Sequence, residues 1–284
     1  MSEFSVVIPA KNESRSLPSL IEKLLALPSL KEIIVVDDGS NDGTGDIAKN
    51  LGAKVVRHPY SKGNGAAIKS GARFATGKVI VFMDADGQHS PDDIPRLIGR
   101  LGQGYDMVVG ARQAGSQASL GRGLANSFYN RLASYMTGQK VEDLTSGFRC
   151  VEREKFLLFL SLLPNGFSYP TTSTMAFFRA GYSVGYEPIH AARREGKSHI
   201  KPFQDGVRFL LIIFKVGTLY SPLKLFFPVA AGFFILGLGY YGFTFMTEGR
   251  FTNMSALMLT TSLTVFMVGL VSEQITALMY KDKG

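Results

Sequence analysis

An apolar run, Val79-Ile80-Val81-Phe82-Met83, leads straight into Asp84-Ala85-Asp86-Gly87-Gln88. The run holds three β-branched residues and reads as a buried strand. Alternate residues of an extended chain share a side, so Asp84 and Asp86 face together while Ala85 turns away. Two carboxylates that close repel unless a cation sits between them. Hard oxygen ligands at this spacing suit Mg²⁺ or Mn²⁺, and such an ion in turn suits a diphosphate. Gln88 offers a neutral oxygen just beyond Asp86. Taken alone, a D-x-D pattern is also compatible with a solvated turn, but the rest of the chain weighs against that.

Further acids and a cation follow other short apolar runs. Residues 4–8 read as a strand closed by Pro9, with Glu13 in the polar loop behind it. Leu17, Leu20, Ile21, Leu24 and Leu25 then recur at helical spacing. A strand over 33–36 ends in Asp37-Asp38-Gly39-Ser40, and a helix over 44–50 follows, with Gly52 past its end. Residues 54–57 form a third strand, and Lys62-Gly63-Asn64-Gly65 opens a helix of small residues that runs to Ala75. After the central strand, Ser90 caps a helix started by Pro91. A strand over 107–109 leads to Gly110-Ala111-Arg112. This alternation is the α/β pattern of a largely parallel sheet with helices on both faces. Such sheets bind ligands beyond the carboxyl ends of their strands. Glu13, Asp37, Asp38, Asp84, Asp86 and Arg112 all fall there.

Read alone, Asp37-Asp38-Gly39-Ser40 is a turn with a helix cap. Lys62-Gly63-Asn64-Gly65 lacks Walker spacing and reads as a tight turn. His58, His89 and His190 show no metal-ligand spacing.

At 284 residues the chain can bury a full α/β core with length to spare. The single cysteine, Cys150, excludes an intramolecular disulfide and is compatible with a reducing compartment. No amino-terminal signal peptide is expected, because Met1-Ser2-Glu3-Phe4 leads directly into a strand. A net charge of +8 suits anionic lipid or a phosphorylated substrate. No zinc-finger spacing or aromatic RNA-binding signature accompanies it, so no nucleic-acid partner is expected.

Four motifs now stand in order: Ile8-Pro9-Ala10-Lys11-Asn12-Glu13, Val35-Val36-Asp37-Asp38-Gly39-Ser40, Asp84-Ala85-Asp86-Gly87-Gln88-His89 and Thr145-Ser146-Gly147-Phe148-Arg149. Together they resemble the polyprenyl-phosphate glycosyltransferases, namely dolichol-phosphate mannose synthase and its bacterial glucosyl relatives, among the family-two inverting enzymes of GT-A fold. The resemblance covers roughly residues 4–200. It implies that Pro9, Ala10, Glu13, Val36 and Asp38, with Asp37 and Ala85 beside them, line a nucleotide pocket. It implies that Asp84 and Asp86, helped by Gln88, hold Mg²⁺ or Mn²⁺ against the diphosphate of a nucleotide-sugar donor. Arg112, Arg122 and Asn126 would face the phosphate of a polyprenyl phosphate acceptor. In the family an Arg-x-x-Gly-x-Ser-Lys segment closes over the site. Here it reads Arg193-Arg194-Glu195-Gly196-Lys197-Ser198-His199, so His199 stands where the family has lysine, and Lys197 or Lys201 is the substitute. Read without the resemblance, Arg193 and Arg194 are a solvated patch. Asp143 either orients the acceptor or caps a turn.

The acceptor sets the chemistry. A sugar hydroxyl needs a general base, whereas a phosphate monoester, with a second pKa near ~6, is already largely dianionic at neutral pH. Cations must then hold two phosphate groups near each other, and in-line displacement at the anomeric carbon inverts its configuration. A hydroxyl acceptor would need a committed base, for which Asp143 is the candidate. A sugar-nucleotide-binding membrane subunit without catalysis is the alternative from another class, and the paired aspartates argue against it.

Beyond residue 200 the composition changes. Phe203, Val207, Leu210, Leu211 and Phe214 fall on one helical face, which reads as an amphipathic helix in a membrane interface. Residues 225–246 and 254–271 are uncharged runs, the first long enough for a bilayer of ~30 Å, and together they form an antiparallel pair. The expected organisation is a catalytic domain over 1–200, a juxtamembrane helix over 201–221 and a two-span domain over 222–284. Basic residues flank the pair on the outside, at Lys224, Lys281 and Lys283, and only Arg250 lies between. The expectation is a multi-pass protein of the inner (plasma) membrane with its catalytic domain in the cytoplasm. Gly232, Gly237 and Gly239 suit packing of the lipid-embedded helices against further copies, as a homo-oligomer.

Overall fold

The computed structural model describes residues 3–113, 120–166, 168–190, 215 and 217–281, without the side chains of 120–126. The chain divides into two compact units, Met1–Ile200 and Lys201–Gly284.

The first unit is built on strands β1 (Phe4–Ala10), β2 (Leu30–Asp37), β3 (Lys54–Arg57), β4 (Val79–Phe82), β5 (Met107–Arg112), β6 (Arg149–Glu152) and β7 (Val184–Ile189). They form one seven-stranded sheet in the order β3-β2-β1-β4-β6-β5-β7. All pairings are parallel except those of β6, which runs antiparallel to both β4 and β5. The largely parallel sheet expected from the alternation is therefore present, with one reversed strand inside it. Reversal has a consequence for the site: the first residue of β6, Arg149, pairs with Phe82 and lies at the carboxyl end of β4.

Two of the expected strand ends move outward. Pro9 is inside β1 because pairing with β4 stops at Val7, while pairing with β2 continues to Ala10. A proline is tolerated where one flank is unpaired. β5 continues through Arg112 because β7 supplies partners for Gly110, Ala111 and Arg112.

Helices α1 (Leu17–Leu25) and α4 (Ile94–Leu101) cover one face. Leu17, Leu20, Ile21, Leu24, Ile94, Leu97 and Ile98 bury against Val6, Ile8, Val35 and Val81. On the other face α3 (Asn64–Phe74) meets the sheet through small residues, and a Cβ at Gly71 would strike Val7 and crowd Val36. That face continues with α6 (Arg153–Leu158) and α7 (Tyr169–Arg179), where the Phe82 ring packs at a tilt with its centroid 4.7 Å from that of Phe156. Helices α2 (Thr44–Asn50) and α5 (Leu120–Thr137) complete the unit.

The second unit contains two long helices, Pro222–Glu248 and Asn253–Tyr280, each long and apolar enough to cross a membrane. Gly249, with φ +65°, ends the first, and the Thr252 hydroxyl accepts from the Ser255 amide to start the second. Apart from Pro222 at the start of the first, their buried positions recur every seven residues: Ala230, Gly237 and Thr244 on one, Ser255, Ser262, Gly269 and Thr276 on the other. Seven-residue spacing is that of a left-handed helix pair, and small residues let such helices approach closely. The Ser262 hydroxyl donates to the Ala230 carbonyl at 2.7 Å, and a Cβ at Gly269 would lie 2.8 Å from the Cβ of Phe226. Gly237, expected on a face toward other copies, instead packs against Met258 and Leu259 of its own hairpin. The expected amphipathic helix lies largely outside the described residues.

Candidate active site

A cavity of about 630 Å³ opens at the carboxyl ends of β1, β2 and β4. Pro9, Ala10 and Glu13 enter it from β1 and its loop, Asp38 from the end of β2, and Asp84, Ala85, Asp86 and Gln88 from the end of β4. Eight of the residues named from sequence thus share one space. A second cavity of about 650 Å³, around Thr76, Lys78, Ile98 and Arg153, lies at the opposite end of β4 and contains none of the motif residues.

Adjacent residues of a strand end point in opposite directions, and Asp37 and Asp38 separate accordingly. Asp38 faces the cavity and is saturated with donors. Its Oδ1 lies 2.6 Å from His58 Nδ1 and accepts from the Lys62 amide at 2.8 Å. Its Oδ2 accepts from the Ser61 hydroxyl at 2.8 Å and the Gly63 amide at 2.9 Å. His58 is held in turn by Ser70, 2.9 Å from its Nε2. Burial alone would push the Asp38 carboxyl up, but these hydrogen bonds bring it down to about 2. Asp37, also named for the pocket, points elsewhere: it accepts from the Ser40 amide at 2.9 Å and sits under Gly45 of α2. The Val36 side chain is likewise turned from the cavity, buried at Gly71 of α3.

The turn 61–63 that Asp38 organises leads into α3. No phosphate cradle forms there: the Gly65 and Ala66 amides donate to the carbonyls of Gly166 and Asn165. The loop passes so close that a Cβ at Gly65 would strike the Pro164 carbonyl.

Asp84 and Asp86 both reach the cavity, but from a turn past the end of β4 rather than from extended chain, so Ala85 lines it too instead of turning away. The Gln88 amide donates to Asp86 Oδ1 at 3.2 Å. Gly147 presses on this pair: a Cβ there would lie 2.8 Å from Asp84 Oδ2. Among the described residues no group of three His, Cys, Asp or Glu side chains converges for a metal. The chain therefore offers two carboxylates and an amide, a hard-oxygen set with ligand positions left over, which fits an ion that also binds a diphosphate and water.

Arg112 and Asp143 form one unit. Arg112 Nε and Nη2 donate to the two carboxylate oxygens at 2.8 and 2.9 Å, and Nη2 also reaches Thr145 Oγ1 at 2.6 Å. Asp143 accepts besides from the amides of Arg112, Thr145 and Ser146. Burial raises its pKa, but the hydrogen bonds and charge of Arg112 more than offset that and hold it below the usual carboxylate range. A carboxylate so engaged is a poor general base. Its geometry is that of a residue orienting Arg112, whose charge Asp84 also favours through space.

Arg122 and Asn126 fall on α5, but their side chains, like Arg193, Lys197 and His199, lie outside the described residues. The cavity also takes in Asn64, Thr145, Gly147, Tyr169 and Pro170, to which sequence reasoning gave no role. The Thr145–Arg149 motif was the available signal for two of them. Nothing local marks Tyr169, whose hydroxyl donates to the Gly147 carbonyl at 3.0 Å.

Sheet order, cavity and paired aspartates define a glycosyltransferase domain of GT-A type, followed by two helices of membrane-spanning length. The chain belongs to glycosyl transferase family 2, an enzyme family, whose profile matches residues 5–158. A GtrB C-terminal hairpin profile matches residues 221–278. The chain is 34% identical over 216 residues to the undecaprenyl-phosphate 4-deoxy-4-formamido-L-arabinose transferase of Pectobacterium atrosepticum, across 68% of this chain and 61% of that protein. It thus spans about three fifths of that relative's length. The transferase of the same name from Pseudomonas aeruginosa is 29% identical, across 98% of this chain and 86% of its own. Among solved structures, the glucosyl-3-phosphoglycerate synthase of Mycobacterium tuberculosis in complex with Mn²⁺ and UDP-glucose superposes with a TM-score of 0.59. It is 25% identical, and the match covers 76% of this chain and 78% of that one.

Proposed function

We propose that the protein transfers a monosaccharide from a nucleotide-sugar to polyprenyl phosphate at a membrane surface, with inversion at the anomeric carbon. The carrying observation is that Asp38, Asp84 and Asp86 share one cavity in a chain that also holds a hairpin of membrane-spanning length. A uridine diphosphate donor is favoured, with GDP-mannose as the other compatible donor. The Mn²⁺ and UDP-glucose in the superposed synthase support this choice.

In this reading Asp84 and Asp86, with Gln88, hold Mg²⁺ or Mn²⁺, which when bound balances the charge of the leaving diphosphate. Asp38 fixes the 61–63 turn that borders the nucleoside. Arg112, held rigid by Asp143, directs its remaining donors at the acceptor phosphate. The engagement of Asp143 favours a phosphate acceptor over a hydroxyl, because a dianionic monoester needs no base to attack. The hairpin gives the reaction its location. A polyprenyl phosphate keeps its tail in lipid and its head at the surface, where a domain over 1–200, joined by a 201–221 helix to the 222–284 hairpin, would meet it. Cytoplasmic placement of that domain at the inner membrane follows from the flanking basic residues.

The test uses full-length protein in detergent with Mn²⁺, a short-chain polyprenyl phosphate and a panel of UDP- and GDP-sugars. Nucleoside diphosphate release should depend on the lipid phosphate with one donor, and Asp86→Ala should lower it at least about a hundredfold. Nucleotide binding without release from any donor would sink the reading.

A further inference from the structure

Arg149 is the largest wholly buried side chain, and it makes no ion pair among the described residues. A guanidinium stays charged in a protein, so this is a cation held by neutral acceptors. Asp84 and Asp143 act on it only through space, and its Nε has no hydrogen-bond partner. An apolar side chain of that volume would fill the space at lower cost in desolvation. The reason for the charge must lie in what the fork joins.

Nη1 donates to the Pro170 carbonyl at 2.9 Å, Ser173 Oγ at 2.8 Å and Thr174 Oγ1 at 3.1 Å, all in the first turns of α7. Nη2 donates to the Ser146 carbonyl. The joined segments are two walls of the cavity: Thr145 and Gly147 on one side, Tyr169 and Pro170 on the other. The Tyr169 ring lies 5.8 Å from the guanidinium, and its hydroxyl closes the arrangement onto Gly147. Gly147 is the residue pressed on Asp84.

We propose that Arg149 is a positioning residue of the diphosphate subsite. It clamps the 145–147 loop to the start of α7, sets Gly147 against Asp84, and fixes a positive charge behind the two carboxylates without touching the ligand. This rests on the donor-site reading above. The charge opposes accumulation of negative potential where a diphosphate must enter.

The experiment titrates full-length protein in detergent with UDP, and separately with GDP, in Mn²⁺ by calorimetry. Melting curves and transfer kinetics separate the donor KM from the acceptor KM. Arg149→Met should raise nucleotide Kd and donor KM at least about tenfold, move acceptor KM less than donor KM, and retain a cooperative melt. Arg149→Lys, which keeps the charge without the fork, should recover part of the affinity. A filler role predicts instead that lysine is no better than methionine, and that result, or an unchanged Kd in Arg149→Met, overturns the proposal. Should Arg149→Met fail to melt cooperatively, Ser173→Ala with Thr174→Val releases part of the clamp and leaves the charge in place. A rise in Kd of roughly two- to fivefold is then expected, and no change overturns the role. A wild-type chain that binds neither nucleotide overturns the donor-site reading and this role together. Normal wild-type binding that the variants leave unchanged overturns the role alone.

Discussion

Four donors converge on the Asp38 carboxylate, from His58, Ser61, Lys62 and Gly63. An asparagine there keeps one acceptor oxygen and turns an NH₂ group toward donors. Asp38→Asn should therefore cost about 1–3 kcal/mol of stability and weaken UDP binding about tenfold as the 61–63 turn loosens. Melting curves and calorimetry in detergent measure both effects. Glu32 shows the same saturation away from the cavity, accepting from Ser5, Lys54 and both the amide and hydroxyl of Thr76. Burial opposes its charge, yet these partners lower its pKa from 4.5 to about 2. The unfolded carboxylate takes up its proton first on acidification, so the contribution of Glu32 is complete above pH 4.5 and is lost as pH falls toward 2. That contribution is on the order of 3 kcal/mol. Glu32→Gln should be less stable at neutral pH, and its melting temperature should approach that of wild type as pH drops through the window. Parallel curves for the two proteins would remove the role assigned to this carboxylate.

Elements carry these residues, and their legibility in the sequence was uneven for physical reasons. Strands β1, β2 and β4 are buried on both faces, so they read as continuous apolar runs. β6 and β7 do not: Arg149-Cys150-Val151-Glu152 begins and ends on charge, and Val184–Ile189 contains Gly185 and Pro188. The reversal of β6 is a long-range pairing choice that leaves no local periodicity. The same limit hid the Arg112–Asp143 pair, whose members come from β5 and a distant loop. Alternation made Asp84 and Asp86 legible as a pair, and the same rule explains why only one of Asp37 and Asp38 reaches the cavity. Glycines mark where elements touch most closely. Gly65→Ala must push the 164–166 loop off the start of α3, because the new Cβ would strike the Pro164 carbonyl. A cost of about 1–3 kcal/mol is expected, with weaker nucleotide binding because Gly166 and Asn64 border the cavity. A melting curve identical to wild type would show that the loop yields freely.

For the molecule as a whole, if the hairpin crosses a membrane as proposed, the distribution of charge around it sets the side expected for the catalytic domain. Helices of 27 and 28 residues rise about 40 Å each, more than a ~30 Å hydrocarbon core, so in a membrane their polar ends would reach both interfaces. At the turn, Arg250 pairs with Glu248 at 2.6 Å, leaving no net charge there. At the open end Lys215, Lys224, Lys281 and Lys283 outnumber the acids Glu273 and Asp282 in sequence. On the proposed function, the positive-inside rule predicts the turn outside and the catalytic domain inside. The lone cysteine makes this testable. Cys150 is buried and its thiol pKa is pushed up by that burial, so Cys150→Ala provides a background for single cysteines at Glu3 and Arg250. In sealed right-side-out vesicles a membrane-impermeant maleimide should label position 250 and spare position 3, and inverted vesicles should show the opposite. Labelling of position 3 from outside would place the aspartates on the far face, away from any cytoplasmic nucleotide-sugar. It would overturn the donor side of the proposed reaction even if the transfer chemistry stood in detergent.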